Sequence, residues 1–259
     1  MSATLEELTF VQATAGIRAS VEVRLTALLT QLASAGLSPE ETRDAMAALT
    51  RNLVSQYGTA AADFAAEWYN DMRLTAGIRG NFTANAMTQD FAEQIDETVR
   101  RAVGTLFTPN PDTATMVNAI ALKAAQYAVD GARNTIVQNS YRDPRAAGWQ
   151  RIPHGPTCDF CLTLVGRGGV YKQSTANFRS HGHCDCGCAP SWDLNAEEVP
   201  SIAYQGSARM DALRNRAKAG DKSAQRQLDA YRSRMKTYIE QNQGKFAQLR
   251  QDYNLTPAV

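Results

Sequence analysis

Apolar residues recur along most of this chain at intervals of three and four, the spacing of one face of an α-helix. In residues 3–35, Leu25, Leu28, Leu29 and Leu32 fall on that spacing with no proline to interrupt them, which predicts a helix ending near Gly36. Ser38-Pro39-Glu40-Glu41 follows. It offers a hydroxyl to accept from orphan amides, a proline suited to the first helical position and a glutamate three residues after the serine, the signature of a capping box. Beyond it Met46, Leu49, Leu53, Tyr57, Phe64 and Trp68 draw one stripe through a long second helix despite Gly58. Gly77 and Gly80 mark a break. A third helix is expected from about Thr83, with Met87, Phe91, Ile95, Val99 and Leu106 on one side. Pro109-Asn110-Pro111-Asp112 stops it and caps a fourth, running to about Ser140 with Met116, Ile120 and Tyr127 apolar. These stripes read as core packing and hold no cofactor box.

The pattern changes after residue 140. Tyr141 to Gly148 is a linker by composition, residues 149–192 lose helical periodicity, and Asp193 to Pro200 is a loop with room for one helical turn at 195–199. Helical spacing returns from Ser207 with Met210 and Leu213, breaks at Gly220-Asp221, and resumes through Leu228, Tyr231, Met235, Tyr238 and Ile239, leaving residues from about Asn254 frayed. The expected fold is therefore mainly α with a small zinc-stabilised α+β module. An N-terminal helical bundle fills 1–140, its antiparallel neighbours joined by short turns. A cysteine- and histidine-rich module fills 141–200, and a basic C-terminal helical tail fills 201–259.

Charge adds to this division. The net charge of +1 hides a split: residues 1–140 carry ten Lys/Arg against fifteen Asp/Glu, and residues 200–259 carry eleven against five. A basic tail fits an anionic partner, with Arg209, Arg214, Arg216, Lys218, Lys222, Arg226, Arg232, Arg234 and Lys236 as the contacts. A solvated helix face is the competing reading, because Asp211, Asp221 and Asp229 interrupt the basic run. No stretch approaches the roughly 20 apolar residues of a membrane span, and the start MSATLEELTF has neither a basic nor an apolar leader region. The expectation is a protein that folds in a cytoplasm with its thiols reduced, which favours metal over disulfide for clustered cysteines.

All five cysteines and all three histidines lie between Trp149 and Trp192. Cys158 and Cys161 form a C-x-x-C step, which brings two thiolates together from one tight turn. His181, His183, Cys184, Cys186 and Cys188 follow. Zinc takes four such ligands in a tetrahedron, at about 2.3 Å to sulfur and about 2.0–2.1 Å to nitrogen. Gly168-Gly169 and a strand-like Val170-Tyr171 allow the chain to return His181 to Cys186 beside the first pair. More donors are present than zinc can hold: His181 with Cys184 and His183 with Cys186 are both H-x-x-C registers, so any Cys₃His set drawn from them is open. Cys188 is the natural spare, since no spacing requires it. A disulfide, a thioredoxin-like redox pair and a catalytic zinc are weaker readings. No βαβ pattern surrounds the C-x-x-C step, and the glutamate that a zinc deaminase needs is missing upstream of Pro156. A cysteine protease would need one reactive thiol beside an oriented base, and His154 alone reads as a turn residue. With no G-x-S-x-G, P-loop or H-E-x-x-H motif, catalytic and cofactor-binding residues are not assigned.

The order Trp149-x-Arg151, Cys158-x-x-Cys161, Arg167-Gly168, Val170-Tyr171 and His181-x-His183-Cys184-Asp185-Cys186 resembles the minor head proteins of tailed bacteriophages related to phage Mu protein F, especially those of actinobacterial phages. The specific part covers about 40 residues. Its shared H-x-x-C-x-C core falls on His181, Cys184 and Cys186. The resemblance implies a virion component present in few copies, inside the capsid or at the portal, that meets portal or major capsid protein or packaged DNA during head assembly, packaging or ejection. It also brings the label of capsid maturation protease, which the residues do not support. A zinc-containing nucleic-acid-binding protein is a further alternative.

Overall fold

The computed structural model describes residues 4–155, 157–172, 178, 186–196 and 207–255. Among these are eight α-helices, one short 3-10 turn and one two-stranded antiparallel sheet. No described helix is long and apolar enough to cross a membrane. The chain divides into two compact units, residues 12–138 and a second that joins the first eleven residues to 139–259.

The 12–138 unit contains α1 (Leu5–Ala33) from Gln12 onward, α2 (Pro39–Thr75), α3 (Ala92–Ala102), a 3-10 turn (Val103–Phe107) and α4 (Thr113–Arg142) as far as Gln138. The capping box forms as expected: the Glu41 amide donates to Ser38 Oγ at 3.2 Å and the Ser38 amide to the Glu41 carboxylate at 2.9 Å. Asp112 caps α4 by accepting from the Thr115 amide at 3.0 Å. One core joins Leu25, Leu29, Met46, Leu53, Ile95, Val99, Met116 and Ile120.

Two expectations are corrected in this unit. The second half of α2 buries Ala61, Ala62, Ala65, Ala66 and Tyr69, whereas Phe64 and Trp68 are only half-buried. The reason is close helix crossing: a Cβ added at Gly131 of α4 would collide with the Gly58 carbonyl of α2, so small residues occupy the contact. The third helix begins at Ala92, not near Thr83. The segment before it is an extended strap whose backbone polar groups bond to side chains. Asn70 accepts from the Ala84 amide at 2.8 Å, Thr135 accepts from the Met87 amide at 2.9 Å, and Asn134 donates to the Met87 carbonyl at 3.0 Å. Those bonds satisfy the groups that a helix would otherwise pair internally.

The other unit is built on β1 (Gly148–Ile152) and β2 (Gly187–Ser191), paired antiparallel with Trp149 opposite Pro190 and Arg151 opposite Cys188. Pro190 is tolerated because β2 is an edge strand. Tyr171 bridges the other side of β1, exchanging backbone bonds with Trp149 at 3.0 and 3.2 Å. A side chain at Gly148 would strike the Tyr171 carbonyl, and its φ of +157° suits glycine. A Cβ on Gly187 would come within 2.8 Å of Val11, so the start of α1 seats directly on β2. α5 (Asp159–Val165) follows the ribbon's first strand. α6 (Ser207–Lys218) and α7 (Lys222–Gln241) form a hairpin around Met210, Leu213, Ala224 and Leu228. Asp221 caps α7 through the amides of Ser223 and Ala224. The helical reading that ran through Ile239 to about Asn254 is divided at Asn242, beyond which α8 (Gln243–Asp252) begins.

Candidate metal centre

Cys158 is the N-cap of α5 and Cys161 stands three residues later in its first turn, so both thiols come from one turn. Cys161 and Cys186 are buried and share an apolar cluster with Cys158, Phe160 and Phe178. The structure therefore brings together three of the six predicted ligands. His181, His183 and Cys184 lie outside the described residues. Cys188 is buried in β2 opposite Arg151 and is not among the residues of that cluster. Among the described residues no three His, Cys, Asp or Glu side chains group closely enough to hold a metal ion. The donor types are those of a thiolate site: three sulfurs in an apolar setting. The helical turn expected at 195–199 falls partly outside the described residues.

Trp149, Arg151, Arg167 and Tyr171, among the residues that carried the resemblance, form one packed frame with Phe178 of the cysteine cluster. Trp149 stacks on Tyr171 at 4.5 Å between ring centroids and tilts against Phe178 at 5.7 Å. The Arg151 guanidinium lies 4.1 Å from the Phe178 centroid, and that of Arg167 lies 5.0 Å from Tyr171. Tyr171 Oη donates to the Leu164 carbonyl of α5 at 2.6 Å, and Trp149 Nε1 donates to Tyr141 Oη at 3.0 Å. The frame thus ties β1 to α5 and to the end of α4. His154, on the loop between them, is held below the usual imidazole range by burial, which keeps it neutral near pH 7.

Two contributions escaped the sequence reading. Thr4 and Glu7 form a capping box at the start of α1, with the Thr4 amide donating to Glu7 at 2.9 Å and the Glu7 amide to Thr4 Oγ1 at 3.2 Å. Gln150 of β1 donates to the other Glu7 oxygen at 2.6 Å. Burial, which outweighs these bonds, pushes the Glu7 carboxyl up, and it pushes the nearby Tyr253 hydroxyl up to about 12. The T-x-x-E spacing was a readable signal for the cap. The second omission is Asp159, whose carboxylate pairs with Arg250 of α8 and accepts from Gln243 Nε2 at 3.2 Å. No local spacing announces a contact across some ninety residues.

The basic candidates are exposed where they are described. Arg216 pairs with Asp221 at 2.6 Å, Arg232 with Asp229 at 3.1 Å and Lys236 with Glu240 at 3.9 Å. Arg214, Lys218, Lys222, Arg226 and Arg234 also face solvent, and the Arg209 side chain lies outside the described residues. Acidic partners therefore take up part of the surface charge.

A family model described as VG15 protein matches residues 2–206. The chain belongs to the VG15 family, a phage-type protein. No curated protein and no solved structure gives a significant match. The VG15 match takes in α1 to α5 and both strands, and it stops just before α6. The helices α6 to α8 are thus an addition beyond the VG15 match.

Proposed function

We propose that this VG15-family chain is a minor head protein of a tailed phage, carried inside the capsid or at the portal vertex, with a structural zinc site. The observation that carries the reading is the gathering of Cys158, Cys161 and Cys186 in one cluster, framed by the same Trp149, Arg151, Arg167 and Tyr171 that resemble the Mu F-related proteins. Zinc would be held by those three thiolates with a donor among His181, His183 and Cys184. Bound there with all positions filled by protein, zinc cross-links the chain and leaves no open position for catalysis. The described residues of the module at 141–200 include two short strands and a seven-residue helix, elements that such a link would hold together. In sequence it lies between the helical part, 1–140, and the basic tail, 201–259. The partners are portal or major capsid protein, with the exposed basic side chains of α6 and α7 facing packaged DNA.

Elemental analysis of the purified chain, together with its abundance in purified virions, tests the proposal. One zinc per chain and a few copies per particle are expected. A zinc-free, fully folded protein that is missing from virions would overturn it.

A further inference from the structure

The helices beyond the VG15 match do not simply trail from the fold. After the α6–α7 hairpin the chain turns at Asn242, and α8 packs on α5, the helix that carries the two cysteines. Phe246, Leu249 and Tyr253, spaced at three and four residues, are buried and anchor α8. Two polar fastenings sit at opposite ends of α5. At one end Asp159 receives Arg250 and Gln243. At the other, Lys245 Nζ donates to the Gly166 carbonyl at 3.1 Å, satisfying an orphan acceptor at the helix C-terminus.

Asp159 lies between Cys158 and Cys161, so whatever holds its carboxylate also holds the turn that presents both thiols. The pair with Arg250 is sheltered, with side-chain exposures of 32% and 23%, whereas Arg232–Asp229 on α7 stands at 69% and 56%. Exposed pairs contribute little, whereas here both Asp159 oxygens are engaged, one by Arg250 and the other by Gln243, which fixes the carboxylate. A seven-residue helix has no stability of its own in water, so the conformation of its first turn is set by its neighbours.

We propose that α8 belongs to the metal centre: Arg250 and Gln243, through Asp159, position Cys158 and Cys161, so that metal binding and docking of α8 reinforce each other. The inference rests on the zinc reading above. Linkage makes the effect reciprocal. The factor by which docked α8 raises metal affinity is the factor by which metal favours docked α8. The basic α6–α7 hairpin, joined to α8 at Asn242, is then fastened to the cysteine module most firmly in the metal-loaded protein.

The test uses the full chain with cobalt(II) as a spectroscopic probe and zinc competition against a chromophoric chelator. Arg250→Ala and Asp159→Asn are each expected to weaken metal affinity about 10–100-fold, the usual effect of losing a group that orients a ligand. Thiolate-to-cobalt absorption should keep its wild-type form, and the double variant should be little weaker than the worse single one. Zinc should slow hydrogen exchange of the α8 amides in the wild type and do so less in Arg250→Ala. If Arg250→Ala loses its helical circular dichroism, Gln243→Ala, which removes two exposed hydrogen bonds, to Asp159 and to the Ile239 carbonyl, decides the matter by a smaller loss in the same direction. Metal affinities within about twofold of wild type, with the thiolate spectrum intact, would overturn the role of α8 and leave the zinc reading standing. A wild-type chain that binds neither cobalt nor zinc overturns both.

Discussion

The two units of this protein reach order by different means. Residues 12–138 are long helices whose core is aliphatic and alanine-rich, with α4 so close to the Gly58 backbone that no Cβ fits at Gly131. Around its cysteines the other unit has short elements, β1, β2 and α5, with stacked aromatics, guanidinium groups and thiols. In the first, the hydrophobic effect acts through many small side chains in periodic positions. In the second, a few specific contacts between distant residues hold elements too short to persist alone. The first should therefore tolerate loss of any one polar bond, and the second should not.

With the zinc site proposed above, metal removal would probe that contrast most strongly. Structural zinc contributes on the order of 10 kcal/mol in small metal-dependent domains, so chelation, or Cys161→Ser, should cost residues 139–255 several kcal/mol on that scale. The 12–138 unit should keep its helical signal. Hydrogen exchange resolved by segment is the measurement, and equal protection losses in both units would erase the distinction.

A middle-sized effect is expected in the helical unit. Gly131→Ala forces a methyl against the Gly58 backbone, which cannot yield as a side chain can, and should cost about 1–3 kcal/mol in urea denaturation. Gly16→Ala in α1 meets nothing within 4 Å and should gain about 0.5–1 kcal/mol. Equal outcomes at the two glycines would remove the argument for close crossing.

The smallest effect concerns pH. Because burial raises the Glu7 carboxyl above its ordinary value, its contribution is full below the unfolded pKa and is lost as pH rises through the folded one. Thermal stability of the cysteine-bearing unit should therefore fall slightly as pH rises across the acid range. Glu7→Gln should flatten that dependence. An unchanged slope in the variant would assign it to other groups.

Much of the helical unit was legible because its information is local. Ser38 and Glu41 announce a cap within four residues, and Asp112 stops and restarts the chain beside two prolines. The strap before Ala92 was misread because Met87 and Phe91 have helical spacing, while the backbone groups of Ala84 and Met87 are satisfied by Asn70, Asn134 and Thr135 elsewhere in the fold. Phe64 and Trp68 were preferred to alanines for their size, although close packing rewards the smaller side chain.

Sequence by itself determined the helical periods, the caps, the breaks at glycine and proline, and the confinement of every thiol and imidazole to one stretch. Each depends on backbone preference or side-chain chemistry within a few residues. Only the tertiary structure decided which thiols share a cluster, that Trp149 and Tyr171 stack beside them, and that Arg250 reaches Asp159. Such pairings follow from where separate elements pack, a property of the folded chain that no local spacing encodes.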